Sequence, residues 1–210
     1  MRTRVKFCGL THGDDVDAAV ALGVDAVGFV FYGPSPRCVQ PHEAAELRRR
    51  LPSFVAAVGL FVNEDPRRVA ETVRQAGLDV VQFHGDERDD ACARAGVPYW
   101  KAVRMRARSD LLESAGSFPG AECLLLDAYS EGYGGSGRQF DWRWIPRELP
   151  ARLILSGGLD ADSVAGAIAT VRPFGVDVST GIQGATPRRK DLDRMQRFMA
   201  AVLSADAGRR

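Results

Sequence analysis

The sequence predicts an α/β protein built as a single (β/α)8 TIM barrel with eight parallel strands. Three observations carry that expectation. Short apolar runs alternate with amphipathic helical stretches eight times along 210 residues, at about 25 residues a unit, which suits a compact barrel. The runs are apolar throughout, as in Ala26 to Tyr32, the mark of strands buried on both faces and paired in parallel. No composition shift divides the chain, so one barrel domain over 1–203 is expected, with 204–210 a frayed C-terminal tail. The same alternation could also be laid out as an open flavodoxin-like sheet.

The first strand is Val5-Lys6-Phe7-Cys8, closed by Gly9. Thr11 to Asp14 starts a helix whose Val16, Ala19 and Val20 stripe stops at Gly23. Ala26 to Tyr32 is the second strand, followed by the loop Gly33 to Arg37 and a helix opened by Pro41 and running to Leu51. Phe54 to Val62 reads as the third strand, and Asp65-Pro66 as an N-cap with proline at the first helical position. Val69, Val73 and Ala76 form that helix's inner face, and Gly77 ends it. Strand Val80 to His84, a helix from Asp86 to Ala95, strand Tyr99 to Met105 and a weaker helix near Asp110 to Ala115 continue the series. Cys123 to Asp127 is the sixth strand, and a Gly-rich loop from Tyr129 to Phe140 leads to a short helix entered at Asp141. Leu153 to Ser156, a helix carrying Val164, Ala167, Ile168 and Val171, strand Gly175 to Ser179, and a helix carrying Leu192, Met195, Phe198, Met199 and Val202 complete eight units.

Charge excludes several function classes. The 28 basic and 27 acidic residues are interspersed and the net charge is +1, which gives no electrostatic case for nucleic acid or a membrane surface. No apolar run reaches the ~18 residues of a membrane span, and no signal core precedes the first strand, so a soluble cytoplasmic protein is expected. Cys8, Cys38, Cys92 and Cys123 form no CxxC pair, and His12, His42 and His84 form no HExxH motif; reduced thiols and no metal site follow. The sequence admits a monomer or a homodimer. Arg48-Arg49-Arg50 and Arg188-Arg189-Lys190 read as solvated faces.

In a barrel the working groups sit at the C-terminal strand ends. That ring is Cys8, Arg37, Asn63, His84, Arg104, Asp127, Ser156-Gly157-Gly158, and Asp177 with Ser179-Thr180-Gly181. Gly157 and Gly158, and Ser179, Thr180 and Gly181, follow strands seven and eight, where small residues let backbone N–H groups approach a phosphate; a sugar phosphate ligand is the expectation. Asp127 ends the apolar run Leu124-Leu125-Leu126 and is a candidate general acid, its alternative being a carboxylate paired with Lys101 or Arg104. Cys8 and Asp127 stand on well-separated strands and are expected to face one another across the mouth, an arrangement that suits a proton-moving isomerisation. Gly132 to Gly137 matches GxGxxG but does not open a helix directly; its expected use is a loop closing over the ligand or a plain linker, and no dinucleotide cofactor is assigned.

The motifs Lys6-Phe7-Cys8-Gly9-Leu10-Thr11, Gly28-Phe29-Val30-Phe31, Ser35-Pro36-Arg37, Gly59-Leu60-Phe61-Val62-Asn63, Gln82-Phe83-His84-Gly85, Leu126-Asp127, Gly134-Gly135-Ser136-Gly137, Leu155-Ser156-Gly157-Gly158-Leu159 and Val176-Asp177-Val178-Ser179 run in order along nearly the whole chain. Together they resemble the phosphoribosylanthranilate isomerases of tryptophan biosynthesis. The resemblance implies a cofactor-free Amadori rearrangement, with Asp127 protonating the furanose ring oxygen and Cys8 thiolate removing the C2′ proton. It implies Arg37 on the anthranilate carboxylate, Asp177 on the sugar hydroxyls or amine and His84 in the pocket; Lys6 is expected to stabilise the Cys8 thiolate. A histidine-pathway isomerase, a dual-substrate enzyme and a non-catalytic sugar-phosphate-binding barrel are the alternatives, and Cys8 argues against the first because those barrels usually begin with Asp there. Two departures stand out: Cys38 follows Arg37 where the family usually has an aromatic residue, and Thr180-Gly181-Ile182-Gln183 follows the strand-eight Ser where Gly-Val-Glu is frequent.

Overall fold

The computed structural model describes residues 2–129, 139–146, 149 and 151–208. Eight strands close into a barrel in sequence order: β1 Arg4–Cys8, β2 Ala26–Val30, β3 Ala56–Phe61, β4 Val80–Phe83, β5 Tyr99–Met105, β6 Cys123–Ala128, β7 Arg152–Leu155 and β8 Gly175–Val178. Every pairing is parallel, and β8 returns to β1 with Lys6 opposite Asp177. The closed (β/α)8 arrangement, not the open sheet, is therefore the fold.

Strand periodicity sorts the side chains into two cores. Ala26, Val58, Val80, Trp100, Ala102, Cys123, Leu125 and Ile154 fill the inside of the barrel. Their outward-facing neighbours pack beneath the helices, which among the described residues are α1 Gly13–Ala21, α2 Pro41–Arg48, α3 Pro66–Ala76, α4 Asp89–Cys92, α5 Arg108–Ser117, α6 Val164–Val171 and α7 Leu192–Ala207. Within β1, Phe7 points out and meets Phe198 of α7 edge-on, with ring centroids 6.0 Å apart. Lys6 and Cys8, two residues apart, both point in.

Several boundaries differ from expectation. Strand β3 begins at Ala56, leaving Phe54 97% exposed outside the barrel. Helix α2 stops at Arg48 rather than Leu51. The helix expected from Asp86 is reduced to α4 and a 3-10 turn at Ala93–Ala95. Glu87 folds back against the outside of the barrel instead, accepting from the N–H groups of Asn63 and Gly85 and pairing with Lys101 at 2.9 Å. Asp141 enters only a 3-10 turn, Trp142–Trp144, with its carboxylate accepting from the Arg143 N–H. The GxGxxG segment, 132–137, lies outside the described residues.

The C-terminal tail also departs from the sequence reading. Helix α7 continues through Ala207 because Asp206 accepts from the Thr3 N–H at 2.7 Å and from Thr3 Oγ1 at 2.8 Å. The stretch Arg188-Arg189-Lys190 is a solvated face only at Arg189, which is exposed. Lys190 is buried, Arg188 donates to the Cys38 carbonyl, and Arg189 pairs with the buried Asp15. Replacing Asp206→Ala should cost about 1–3 kcal/mol, since it leaves the buried Thr3 donors without their carboxylate. Urea unfolding measures this; a midpoint equal to the parent's would return the tail to a frayed end.

Candidate active site

A cavity of about 330 Å³ opens at the C-terminal mouth of the barrel. Cys8 of β1, Arg37 after β2, His84 after β4, Asp127 of β6, Ser156-Gly157-Gly158 after β7, and Asp177, Ser179 and Thr180 of β8 and its turn all line it. Six strand ends thus bring together most of the ring predicted from sequence. Asn63 and Arg104 stand apart: Asn63 takes a left-handed backbone (φ 51°) and accepts from the Asp86 N–H, while Arg104 pairs with Asp86. Gly181 lines an adjoining hollow with Gly158 and Thr180. Lys6 lies beneath the cavity floor rather than on its wall, 3% exposed.

A buried chain of hydrogen bonds crosses the mouth. The Lys6 ammonium pairs with Asp177 Oδ1 at 2.8 Å and donates to Gln82 Oε1 at 2.9 Å. Gln82 Nε2 then faces His84 Nδ1 at 2.9 Å, and His84 Nε2 lies 3.1 Å from Asp127 Oδ2. With the Gln82 oxygen turned to Lys6, its amide donates to Nδ1, so the neutral ring carries its proton on Nε2 and donates it to Asp127. The other oxygen of Asp127 accepts from the Ala128 N–H at 2.9 Å. Asp127 is therefore paired with His84, not with Lys101 or Arg104 as the sequence alternative had it; Lys101 is taken by Glu87 and the Gly85 carbonyl. Ser156 Oγ donates to the second oxygen of Asp177 at 3.1 Å.

Sequence reasoning left Gln82 without a role, although its i, i+2 spacing to His84 places both side chains on one strand face. Glycines supply the room. A methyl group on Gly28 would stand 2.8 Å from Cys8 Sγ and 3.1 Å from Lys6 Nζ. Gly157, at φ 80°, would push a side chain to within 2.6 Å of the Ala128 nitrogen. Any Cβ on Gly181 would overlap the Leu159 carbonyl, so the turns after β7 and β8 pack backbone against backbone.

Electrostatics set the resting state of the thiol. Burial pushes the Cys8 pKa above its ordinary 9.0, Lys6 opposing it and Asp177 adding to it. Burial also works to lower the Lys6 pKa, but Asp177 and Cys8 outweigh it and hold the ammonium above its usual value. Burial lowers the pKa of Arg37, with Cys8 acting the other way. Its Nε is buried without a partner among the described residues, and its Nη2 donates to Gln183 Oε1.

A closed barrel with opposed titratable groups at its C-terminal mouth defines a (β/α)8-barrel enzyme. The family model for N-(5'phosphoribosyl)anthranilate (PRA) isomerase matches residues 5–201. The chain belongs to that family, the phosphoribosylanthranilate isomerases of tryptophan biosynthesis. An N-(5'-phosphoribosyl)anthranilate isomerase of Dechloromonas aromatica is 54% identical over 206 residues, covering 98% of this chain and 99% of the relative. The phosphoribosyl anthranilate isomerase structure from Thermotoga maritima superposes with a TM-score of 0.89 at 39% identity, over 96% of this chain and 99% of that one. A structure of such an isomerase in complex with reduced 1-(o-carboxyphenylamino)-1-deoxyribulose 5-phosphate gives a TM-score of 0.85 at 36% identity, with the same coverage.

The raised Cys8 pKa makes a direct prediction about thiolate content. In a Cys38→Ser background, the rate of Cys8 alkylation by iodoacetamide should climb about tenfold per pH unit and still be rising at pH 9.0. Peptide mass mapping follows it; a plateau well below pH 9.0 would show that the cations outweigh burial.

Proposed function

We propose that this enzyme opens and isomerises N-(5-phosphoribosyl)anthranilate to 1-(2-carboxyphenylamino)-1-deoxyribulose 5-phosphate by an Amadori rearrangement, with Asp127 as general acid and Cys8 as general base. The observation that carries it is the pair itself. A carboxyl held by His84 and a thiol beside Lys6 line one cavity from strands β6 and β1, with room for a substrate between them.

Protonated Asp127 delivers its proton to the furanose ring oxygen. The C1′–O bond breaks as the nitrogen lone pair forms an iminium. Cys8 thiolate then removes the C2′ proton, and those electrons return to nitrogen as an enolamine. The enolamine becomes the ketone by moving a proton from the C2′ hydroxyl to C1′. No electron leaves the substrate, whose own nitrogen serves as the electron sink, so the step calls for one donor and one acceptor and no cofactor. The proton removed in the middle step needs Cys8 ionised, and the Lys6 cation favours that form against burial.

Binding follows from the groups around the pair. Gly157, Gly158, Ser179, Thr180 and Gly181 take the phosphate through backbone N–H groups. Arg37, which lines the cavity, takes the anthranilate carboxylate. Asp177, fixed by Lys6 and Ser156, takes the sugar hydroxyls, and His84 borders the ring oxygen beside Asp127. Lys6 acts from beneath, through Asp177 and Cys8. We place the enzyme in the cytoplasm, where thiols such as its four free cysteines stay reduced, and as a monomer or a homodimer.

The test is a fluorescence assay in which phosphoribosyl anthranilate is generated in place and loss of its anthranilate signal is followed without metal or nucleotide. Cys8→Ala and Asp127→Asn should each lower kcat by about a hundredfold or more. Turnover within about tenfold of the parent, roughly 1.4 kcal/mol of barrier, would remove the residue concerned from its role.

A further inference from the structure

Lys190 is a buried cation that the reaction above does not use. Its residue is 7% exposed, and among the described residues no carboxylate lies within salt-bridge distance of its ammonium. Its partners are the Ser179 carbonyl at 3.0 Å and Ser179 Oγ at 3.5 Å. The backbone around it is strapped down: the Lys190 N–H donates to Asp15 Oδ2 at 2.9 Å, and Thr11 Oγ1 donates to the Arg188 carbonyl at 2.5 Å. Ser179 Oγ in turn donates to the Cys8 carbonyl at 3.0 Å. An ammonium buried without a contacting carboxylate is costly, and that cost falls when an anion arrives nearby.

Peptide geometry says where that anion would sit. The Ser179–Thr180 peptide is trans and planar, so its C=O and N–H point in opposite directions. Lys190 holds the carbonyl from behind the turn, outside the cavity lining, while Ser179 and Thr180 border the cavity. Pinning the carbonyl backwards turns the Thr180 N–H towards the cavity, and the positive charge polarises that peptide as a donor.

We propose that Lys190 is a positioning residue of the turn after β8, whose ammonium fixes and polarises the Ser179–Thr180 peptide so that the Thr180 N–H binds the substrate's phosphate. The proposal rests on the reading of this turn as a phosphate site. It adds a charge that acts on the phosphate through one peptide bond, without touching it.

A pH signature follows, because burial lowers the Lys190 pKa to about 8. The charged groups facing it are Cys8 from β1, Arg37 from the loop after β2, Asp177 from β8 and Asp15 from α1. Deprotonation removes the carbonyl's anchor, so phosphate affinity should fall as pH rises through about 8. Cys8 ionises above that, and Arg37 stays charged.

The experiment measures inorganic phosphate binding by calorimetry from pH 6.5 to 9, alongside steady-state kinetics, in the parent and in Lys190→Met, each checked for folding by thermal unfolding. Lys190→Met should raise the phosphate Kd and the KM together by about tenfold or more, with kcat changed by less than about threefold, and should lose the fall in affinity above pH 8. A Cys8→Ala protein, in which the thiol cannot titrate, should keep that fall; this arm also tests the proposal should Lys190→Met fail to fold. Phosphate affinity unchanged in folded Lys190→Met, or a Cys8→Ala protein whose affinity is flat across pH 8, overturns the role of Lys190 alone. A parent that binds no phosphate in competition with substrate overturns the phosphate turn, and the proposal with it.

Discussion

The buried ion pair between Lys6 and Asp177 is the contact from which the polar mouth of this barrel is built. An ammonium only donates hydrogen bonds, so whatever touches it must present an acceptor. Asp177 gives one carboxylate oxygen and Gln82 gives its amide oxygen. That choice turns the Gln82 amide nitrogen towards His84, makes Nδ1 the acceptor, and leaves the Nε2 proton for Asp127. One cation thus fixes an amide orientation and a ring tautomer. The same carboxylate, through its other oxygen, holds Ser156 of the β7 turn. Remove the cation and Asp177 stays buried with a full charge and no counter-ion, which is the severe case among broken ion pairs.

The apolar barrel interior is what makes so polar a layer possible. Below Lys6 lie the small and branched apolar side chains of Ala26, Val58, Val80 and Ile154. Above it the cavity admits a ligand. Lys6 and Cys8 share that position because Gly28, beside them on β2, contributes no side chain where two are already present. The consequence for Cys8 is a balance: Lys6 favours its thiolate, but Asp177 already claims much of that charge and burial disfavours any anion, so the resting group is a thiol.

Much of this was legible in the sequence because barrel logic is regular. Continuous apolar runs gave the strands, Asp65-Pro66 and Gly77 gave helix ends, and the ring of strand-end residues contained Cys8, His84, Asp127, Asp177 and both glycine turns. What stayed illegible depends on side chains meeting across the barrel. Nothing local distinguishes Lys6 beneath the floor from Lys6 on the wall, or makes Gln82 the link between Lys6 and His84. For Asp127, read as a general acid, the alternative was a neighbouring-strand cation, Lys101 or Arg104; Lys101 faces outward to Glu87, and the inward face supplies His84 from two strands away. The helix expected at Asp86 failed similarly, because helical periodicity could not show that Glu87 is needed by Lys101. The run Arg188-Arg189-Lys190 has the composition of a solvated surface; only its placement against α1 and the β8 turn buries its last member.

The site and the closure of the fold are the same event. Lys6 and Asp177 are 171 positions apart, as are Cys8 and Ser179, and each pair meets only where the last strand docks on the first. The outer tie between Thr3 and Asp206 spans 203 positions along the same seam. Contacts of such separation carry a large loop-closure cost. An open sheet of the first seven strands would therefore keep its apolar inner layer yet hold Lys6 without its counter-charge and Cys8 without the Ser179 clasp. In this protein the geometry that chemistry needs exists only in the closed ring, so selection for the reaction is also selection for closure.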